Sequence, residues 1–279
     1  MKIVLNLKKK VDKILDLEFL THLNNDDFTK KSFSKLSTLY GTEKVLIKDF
    51  FDFNILDVEK TRNHFVINGS NWFFKNLGFL WENHILEING NSGDYLGAKM
   101  RSGQIKIKGF CGNFLGSEMQ GGTIEVSRDA GDFVGSPLGG GKNGMNGGQI
   151  FIKGNAGKYL GQLMRRGFIV VKGDVEKSCC FHMIAGTVVI GGNITENYSN
   201  SMKRGSLILL SHKVKPLKNF VEVDIKDSSF IGYLKKFLRD NYKLKINRNH
   251  NLKRYVGDRN NSGFGEIICF ECDNYPLFK

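Results

Sequence analysis

The chain has 279 residues, 41% of them hydrophobic and 25% charged, and a formal net charge of +13. That length suits one or two domains with a sizeable core, and no apolar run reaches the ~18 residues that mark a membrane-spanning helix. Five cysteines are an odd number, and only two sit at a recognisable spacing, which argues against a disulfide framework. The basic excess points to an anionic partner (nucleic acid, an acidic ligand or an acidic protein) or to a lysine-rich surface that serves solubility alone.

In chain order, Lys2 to Leu7 reads as a strand. The following Lys8 to Lys10 puts charge after a short apolar run, the reverse of a signal peptide, so the protein is expected to be cytoplasmic. Asn25 to Lys31 reads as a short helix and Lys44 to Asp52 as an apolar stretch with scattered charge. Phe65 to Asn68 and Trp72 to Leu80 lead into the first coil of a repeat. Residues 1–83 do not themselves repeat, and the expectation is an N-terminal cap on a solenoid, whose ends need covering.

From residue 84 to residue 210 the chain repeats. Gly103, Gly122, Gly148, Gly167, Gly186 and Gly205 are spaced 19, 26, 19, 19 and 19 residues apart. Two residues after each stands a β-former: Ile105, Ile124, Ile150, Ile169, Val188, Leu207. Four residues after stands another: Ile107, Val126, Ile152, Val171, Ile190, Leu209. Such alternation is the signal of short strands. Three residues before each glycine stands a methionine: Met100, Met119, Met145, Met164, Met183, Met202. Every methionine except Met1 occupies this slot. Leu96, Leu115, Val134, Leu160, Cys179 and Tyr198 keep the same step, as do Gly93, Gly112, Gly131 and Gly157 before the pattern decays at Glu176 and Thr195. A degenerate first coil has His84 in the glycine slot.

A 19-residue coil cannot bury its own apolar side. Stacked on its neighbours it forms parallel strands about 4.8 Å apart, with like residues aligned in interior ladders and glycines at the corners. The predicted fold is therefore mainly β: a right-handed parallel β-helix with 19-residue coils and small α/β caps at both ends. Other solenoids fit less well. Nineteen is no multiple of six, the calcium-binding G-G-x-G-x-D repeat is absent, and the Asn ladder of leucine-rich repeats is missing. The 26-residue step holds a seven-residue insertion within Ser136 to Gly147. It reads either as a contact loop or as a tolerated surface excursion.

Residues 211–279 make the C-terminal cap. Phe220 to Ile225 alternates as a strand, Phe230, Ile231, Leu234, Phe237 and Leu238 give helical spacing, and Gly265 to Phe270 reads as a last strand.

Few residues offer chemistry. The six histidines are dispersed, and none pairs with Cys or a carboxylate at ligand spacing. His182 lies beside Met183 at a corner. Cys269 and Cys272 are half a zinc site at most, and in a strand they point apart. Cys179 falls in the interior Leu ladder. Gly139 to Lys142 lacks the strand–helix frame of a P-loop. No catalytic or metal-ligating set is expected, and no RNA-binding signature surrounds the aromatics. One positional pattern stands out. Lys99, Arg101, Arg165, Arg166, Lys203 and Arg204 flank the Met ladder in three coils, a candidate positive strip for carboxylates or simply a solvated edge.

The coils resemble a known family. GMNGGQIFIKGNAG (Gly144–Gly157), MRRGFIVVKGD (Met164–Asp174), MIAGTVVIGG (Met183–Gly192) and MKRGSLILL (Met202–Leu210) are similar to the GXGXG β-helix at the C-terminal end of the large glutamate synthase chain. They are more similar to the C-type subunit of formylmethanofuran dehydrogenase and of the bacterial formyltransferase/hydrolase complex. LYGTEKVLIKDFF (Leu39–Phe51) and RYVGDRNNSGFGEII (Arg254–Ile268) extend the likeness into the flanks. Arg128, Glu176 and Thr195 depart from it, standing where the family tends to have glycine.

The resemblance implies one-carbon metabolism that moves a formyl group from tetrahydromethanopterin to a methanofuran-type carrier and releases formate. In its archaeal variant, CO2 is reduced onto methanofuran at a molybdenum or tungsten subunit. It implies a scaffold without catalytic residues or cofactors of its own, the zinc, molybdenum or tungsten being held by partner subunits. The implied partners are an amidohydrolase-like A-type subunit, a B-type subunit and a formyltransferase, with no nucleic acid or membrane partner. The basic strip would hold an acidic partner or the oligoglutamate tail of the carrier. A glutamate synthase-type enzyme needs a glutaminase or flavin module, which neither flank has room for. A free-standing binding solenoid is the third reading. The sequence leaves open whether the host complex is hydrolytic or reductive.

Overall fold

The computed structural model describes residues 2–18, 20–21, 33–56, 62–210, 217–225, 229–243, 251–261 and 263–271. The strands in chain order are β1 (Lys2–Leu7), β2 (Leu15–Asp16), β3 (Ser37–Tyr40), β4 (Glu43–Leu46), β5 (Phe51–Leu56), β6 (His64–Ser70) and β7 (Phe74–Lys75). Then come β8 (Ile85–Gly90), β9 (Gln104–Ile107), β10 (Thr123–Val126), β11 (Asn146–Ile152), β12 (Arg166–Val171), β13 (Thr187–Ile190) and β14 (Arg204–Leu209). The last elements are β15 (Val221–Val223), helix α1 (Ser229–Tyr242), β16 (Asn251–Gly257) and β17 (Phe264–Glu271). The protein is mainly β. Thirteen strands form one large, mostly parallel sheet in the order β15-β16-β17-β14-β13-β12-β11-β10-β9-β8-β6-β1-β5, and β4-β3-β2-β7 form a small second sheet.

The sequence period is the strand register. Ile105 lies opposite Ile124, Ile124 opposite Ile150, Ile150 opposite Ile169, Ile169 opposite Val188 and Val188 opposite Leu207. Because side chains alternate faces along a strand, this register keeps every apolar residue of the series on one side. A second parallel ladder runs with the same steps through single bridges: Ser92, Cys111, Ala130, Ala156, Val175, Ile194. Between the two ladders lies the core. All six ladder methionines and Leu96, Leu115, Val134, Leu160 and Cys179 are fully buried. The seven-residue insertion leaves this register intact. Met145 N–H donates to Gly135 O at 2.7 Å and Asn146 N–H to Met119 O at 2.7 Å, so the stack resumes where it left off.

The corner glycines follow from close approach. A Cβ on Gly122, at φ +85°, would sit 2.8 Å from the carbonyl oxygen of Gly103 one coil below. Glycine is not the whole corner, however. Tyr95, Lys99, Phe114, Glu118, Phe133, Tyr159, Leu163 and His182 also have positive φ. Each left-handed L-residue costs about 1–2 kcal/mol, a strain the two parallel ladders sustain.

Both flanks extend the ladder. At the start, β6 pairs in parallel with β8, and β1 with β6. At the end, β17 pairs in parallel with β14, taking the place of the next rung after an excursion through β15, α1 and β16. The expected strand Lys2 to Leu7 is β1, the helical spacing is α1, and the last expected strand lies within β17. Phe220 to Ile225 shortens to β15. The helix expected at Asn25 to Lys31 and the thiol of Cys272 lie outside the described residues.

Helix α1 covers the outer face of the later strands. Ile231, Leu234 and Leu238 bury against Val170, Val189, Ile208 and Ile268, and Phe168 meets Phe237 with ring centroids 4.7 Å apart. Those strands are apolar on both faces, as coverage on both sides requires. At the opposite end Phe33 stacks on Phe53 at 3.9 Å, and Trp81 packs edge-on against Phe65.

Candidate functional site

The candidate basic residues sit on the corner just after the methionines. Backbone bonds define the column. Gln120 N–H donates to Met100 O, Asn146 to Met119 O, Arg165 to Met145 O, Ile184 to Met164 O and Lys203 to Met183 O. The order along the corner is therefore Arg101, Gln120, Asn146, Arg165, Ile184, Lys203. A neighbouring column holds Ser102, Gly121, Gly147, Arg166, Ala185 and Arg204, with Phe264 next, since it lies opposite Arg204.

The six cations thus fall into two groups rather than one strip. Lys99 and Arg101 lie at the early end, with neutral Gln120 and Asn146 between them and the rest. Lys99 Nζ is 3.7 Å from Glu118, and Arg101 Nη1 is 3.7 Å from Glu82. Arg165, Arg166, Lys203 and Arg204 are all exposed, occupy coils separated by the single coil of Ile184 and Ala185, and have no ion pair among the described residues.

The thiols are spectators. Cys111, Cys179 and Cys180 are free and buried, and Cys269 is buried as well. Burial pushes the Cys111 and Cys179 thiols well up, so neither supplies a thiolate near neutral pH. His182 is half-buried edge-on to Phe181 at 4.2 Å and faces no described carboxylate partner. Among the described residues no group of three or more His, Cys, Asp or Glu is placed to hold a metal ion. Gln104, Glu125, Gln149, Lys153 and Tyr242 line a cleft of about 310 Å³ where the C-terminal end of α1 meets the sheet. Tyr242 donates to Gln149 Oε1 at 2.9 Å, and burial raises its phenol, so the hydroxyl stays protonated and ties the end of α1 to the sheet.

Two features escaped the sequence reading. Tyr95, Phe114, Phe133 and Tyr159 stack ring on ring, with centroids 5.2, 4.9 and 5.1 Å apart, half-exposed on the surface. Beside them Asp94, Asn113 and Asp132 each accept, at 2.8–2.9 Å, the backbone N–H of the equivalent position in the next coil. A Cβ on Gly112 would come 2.5 Å from Asp94 Oδ1, which explains that glycine series. The signal was present in the recurrence of an Asx–aromatic pair at the coil step.

The GXGXG motif family model matches residues 57–245. The chain belongs to that family. Among solved structures, a chain of the formyltransferase/hydrolase complex FhcABCD from Methylorubrum extorquens, in complex with methylofuran, is similar over 95% of this chain and 98% of its own. The identity is 29% and the TM-score 0.83. The likeness to that complex inferred from the coils is therefore borne out over nearly the whole length. No sequence among the curated proteins matches. Among the described residues no helix is long and apolar enough to cross a membrane.

Proposed function

We propose that this chain is the non-catalytic scaffold, the C-type subunit, of a formyltransferase/hydrolase complex that transfers formyl groups between tetrahydromethanopterin and a methanofuran-type carrier and releases formate. The observation that carries this is the end-to-end likeness to a chain of such a complex, with both flanks included. On this reading the stacked coils of residues 84–210 close into a right-handed β-helix, capped by residues 1–83 and 211–279. Supporting it are the two parallel ladders in one register and the buried Met, Leu and Ile series between them. A rigid stack suits a scaffold, since each coil presents fixed side chains at fixed intervals.

The chemistry then belongs to partner chains assembled with this one in the cytoplasm: an amidohydrolase-like A-type subunit with its metals, a B-type subunit and a formyltransferase. The carrier binds in the complex, and the exposed cations Arg165, Arg166, Lys203 and Arg204 are suited to an acidic partner surface or to the carrier's oligoglutamate tail.

The test is purification of the tagged chain from its own cells and identification of what comes with it. Co-purifying amidohydrolase-like and formyltransferase chains are expected. A molybdopterin-binding chain instead would place the protein in a reductive complex, and a chain that stays alone would overturn the scaffold reading. Charge reversal at Arg165 and Arg166 is expected to weaken carrier retention without unfolding the chain. Unchanged retention would remove the tail from this edge.

A further inference from the structure

The four cations of the late group have a defined spacing. Arg166 and Arg204 occupy equivalent places two coils apart, as do Arg165 and Lys203, with Ile184 and Ala185 on the coil between. Adjacent coils lie about 4.8 Å apart, so each like pair is separated by about 9.6 Å along the edge. One step beyond Arg204 in the register stands Phe264, 73% exposed, a large ring left in solvent. The edge thus offers cations at a two-coil interval, a small apolar shelf between them and an aromatic face at the end.

A polyproline II segment rises about 3.1 Å per residue with three residues per turn, so side chains three apart share a face at about 9.3 Å. That matches the cation interval to within a few tenths of an ångström. An extended β segment repeats on one face at about 6.7 Å and does not match. We propose that this edge binds an acidic polyproline II segment of a partner protein, with a carboxylate at every third residue. Two successive carboxylates meet the two basic pairs, and prolines lie on Ile184, Ala185 and Phe264. Guanidinium–carboxylate pairs supply the directed hydrogen bonds, and aromatic rings are the usual platform for such helices. Lys99 and Arg101 take no part, since Glu118 and Glu82 already face them. The inference rests on the scaffold reading only in supposing a protein partner.

The probe is a labelled peptide of three Pro-Pro-Glu units, compared by fluorescence anisotropy on the intact chain with a peptide of the same composition whose three glutamates are contiguous. The spaced peptide is expected to bind at least about fivefold more tightly, and increasing salt should weaken it. R166E/R204E should abolish that preference, F264A should reduce it, and K99E/R101E should leave it intact. Circular dichroism verifies that each variant is folded. Equal binding of both peptides, or equal loss with K99E/R101E, would mean attraction to net charge alone and would overturn the proposal. Tighter binding of γ-linked hexaglutamate than of the spaced peptide would give the edge to a carrier tail and overturn it as well. Either failure would leave co-purification, and so the scaffold reading, untouched.

Discussion

The early and late halves of the stack share one interior and differ on the outside. On the inner side Ile105, Ile124, Ile150, Ile169, Val188 and Leu207 repeat without a break. On the outer side the same strand position carries Glu87, Lys106 and Glu125 in β8 to β10, then Phe151, Val170, Val189 and Ile208 in β11 to β14. The switch coincides with the reach of α1. Period alone therefore specifies the stack, and the alternation within each strand specifies whether something lies on top of it.

Charge on the outer position gives the largest expected contrast. Val189→Asp would bury an unpaired carboxylate under α1 and is expected to destabilise by about 3 kcal/mol or more. Lys106→Asp, the equivalent change on the solvated half, sets a carboxylate between Glu87 and Glu125 and should cost no more than about 1–2 kcal/mol. Urea unfolding midpoints of the two variants measure the difference. Equal losses would show that the outer faces are not distinct.

Loosening the helix itself sharpens the comparison. Leu234 is buried on the sheet-facing side of α1. Leu234→Ala is expected to cost about 2–4 kcal/mol, and amide exchange should accelerate in α1 and its underlying strands before it does in β8 to β10. Uniform acceleration throughout would mean that the helix and the whole stack unfold as one unit.

Most of the stack was legible because its signals are local and recur. A glycine, a methionine and two β-formers at a fixed step fix the register, and Ile231, Leu234 and Leu238 fix the buried face of α1. What α1 covers was half legible. The runs Phe168 to Val171 and Thr187 to Ile190 abandon alternation and so announce a covered outer face, yet nothing within them identifies a partner some 40 to 70 residues on. The pairing of the basic residues was not legible, because Glu82 and Glu118 meet Arg101 and Lys99 only once coils are stacked. The return of β17 to the end of the ladder was hidden for the same reason. Its pairing with β14 spans 60 residues and carries no methionine or 19-residue step.

The aromatic stack gives a smaller effect with a diagnostic order. Phe133 lies between Phe114 and Tyr159, at φ +64°. Phe133→Ala removes both ring contacts and keeps the left-handed penalty, for an expected loss of about 1–3 kcal/mol. Phe133→Gly removes the same contacts but relieves the backbone, so it should be the less harmful change despite the smaller side chain. Thermal melts of the two variants check this, and the reverse order would mean that stacking alone sets the cost at this corner.

The smallest effect concerns the bare outer face. Glu87 lies 2.9 Å from Lys108 and 3.4 Å from His64 Nε2, and the Lys108 ammonium chiefly holds its carboxyl below the usual 4.5. A carboxylate with a depressed folded pKa adds stability that is present above its unfolded value and is lost as pH falls through the folded one. This contribution should therefore be intact at neutral pH and disappear on acidification below about 4.5. Lys108→Ala should move the Glu87 titration upward, towards the ordinary carboxylate range, and flatten that acid-side loss while leaving stability near neutrality nearly unchanged, since exposed pairs contribute little. Carbon-detected NMR of the Glu87 carboxyl reads the shift directly. The later strands offer no such titration, because Val170, Val189 and Ile208 fill the same position beneath α1.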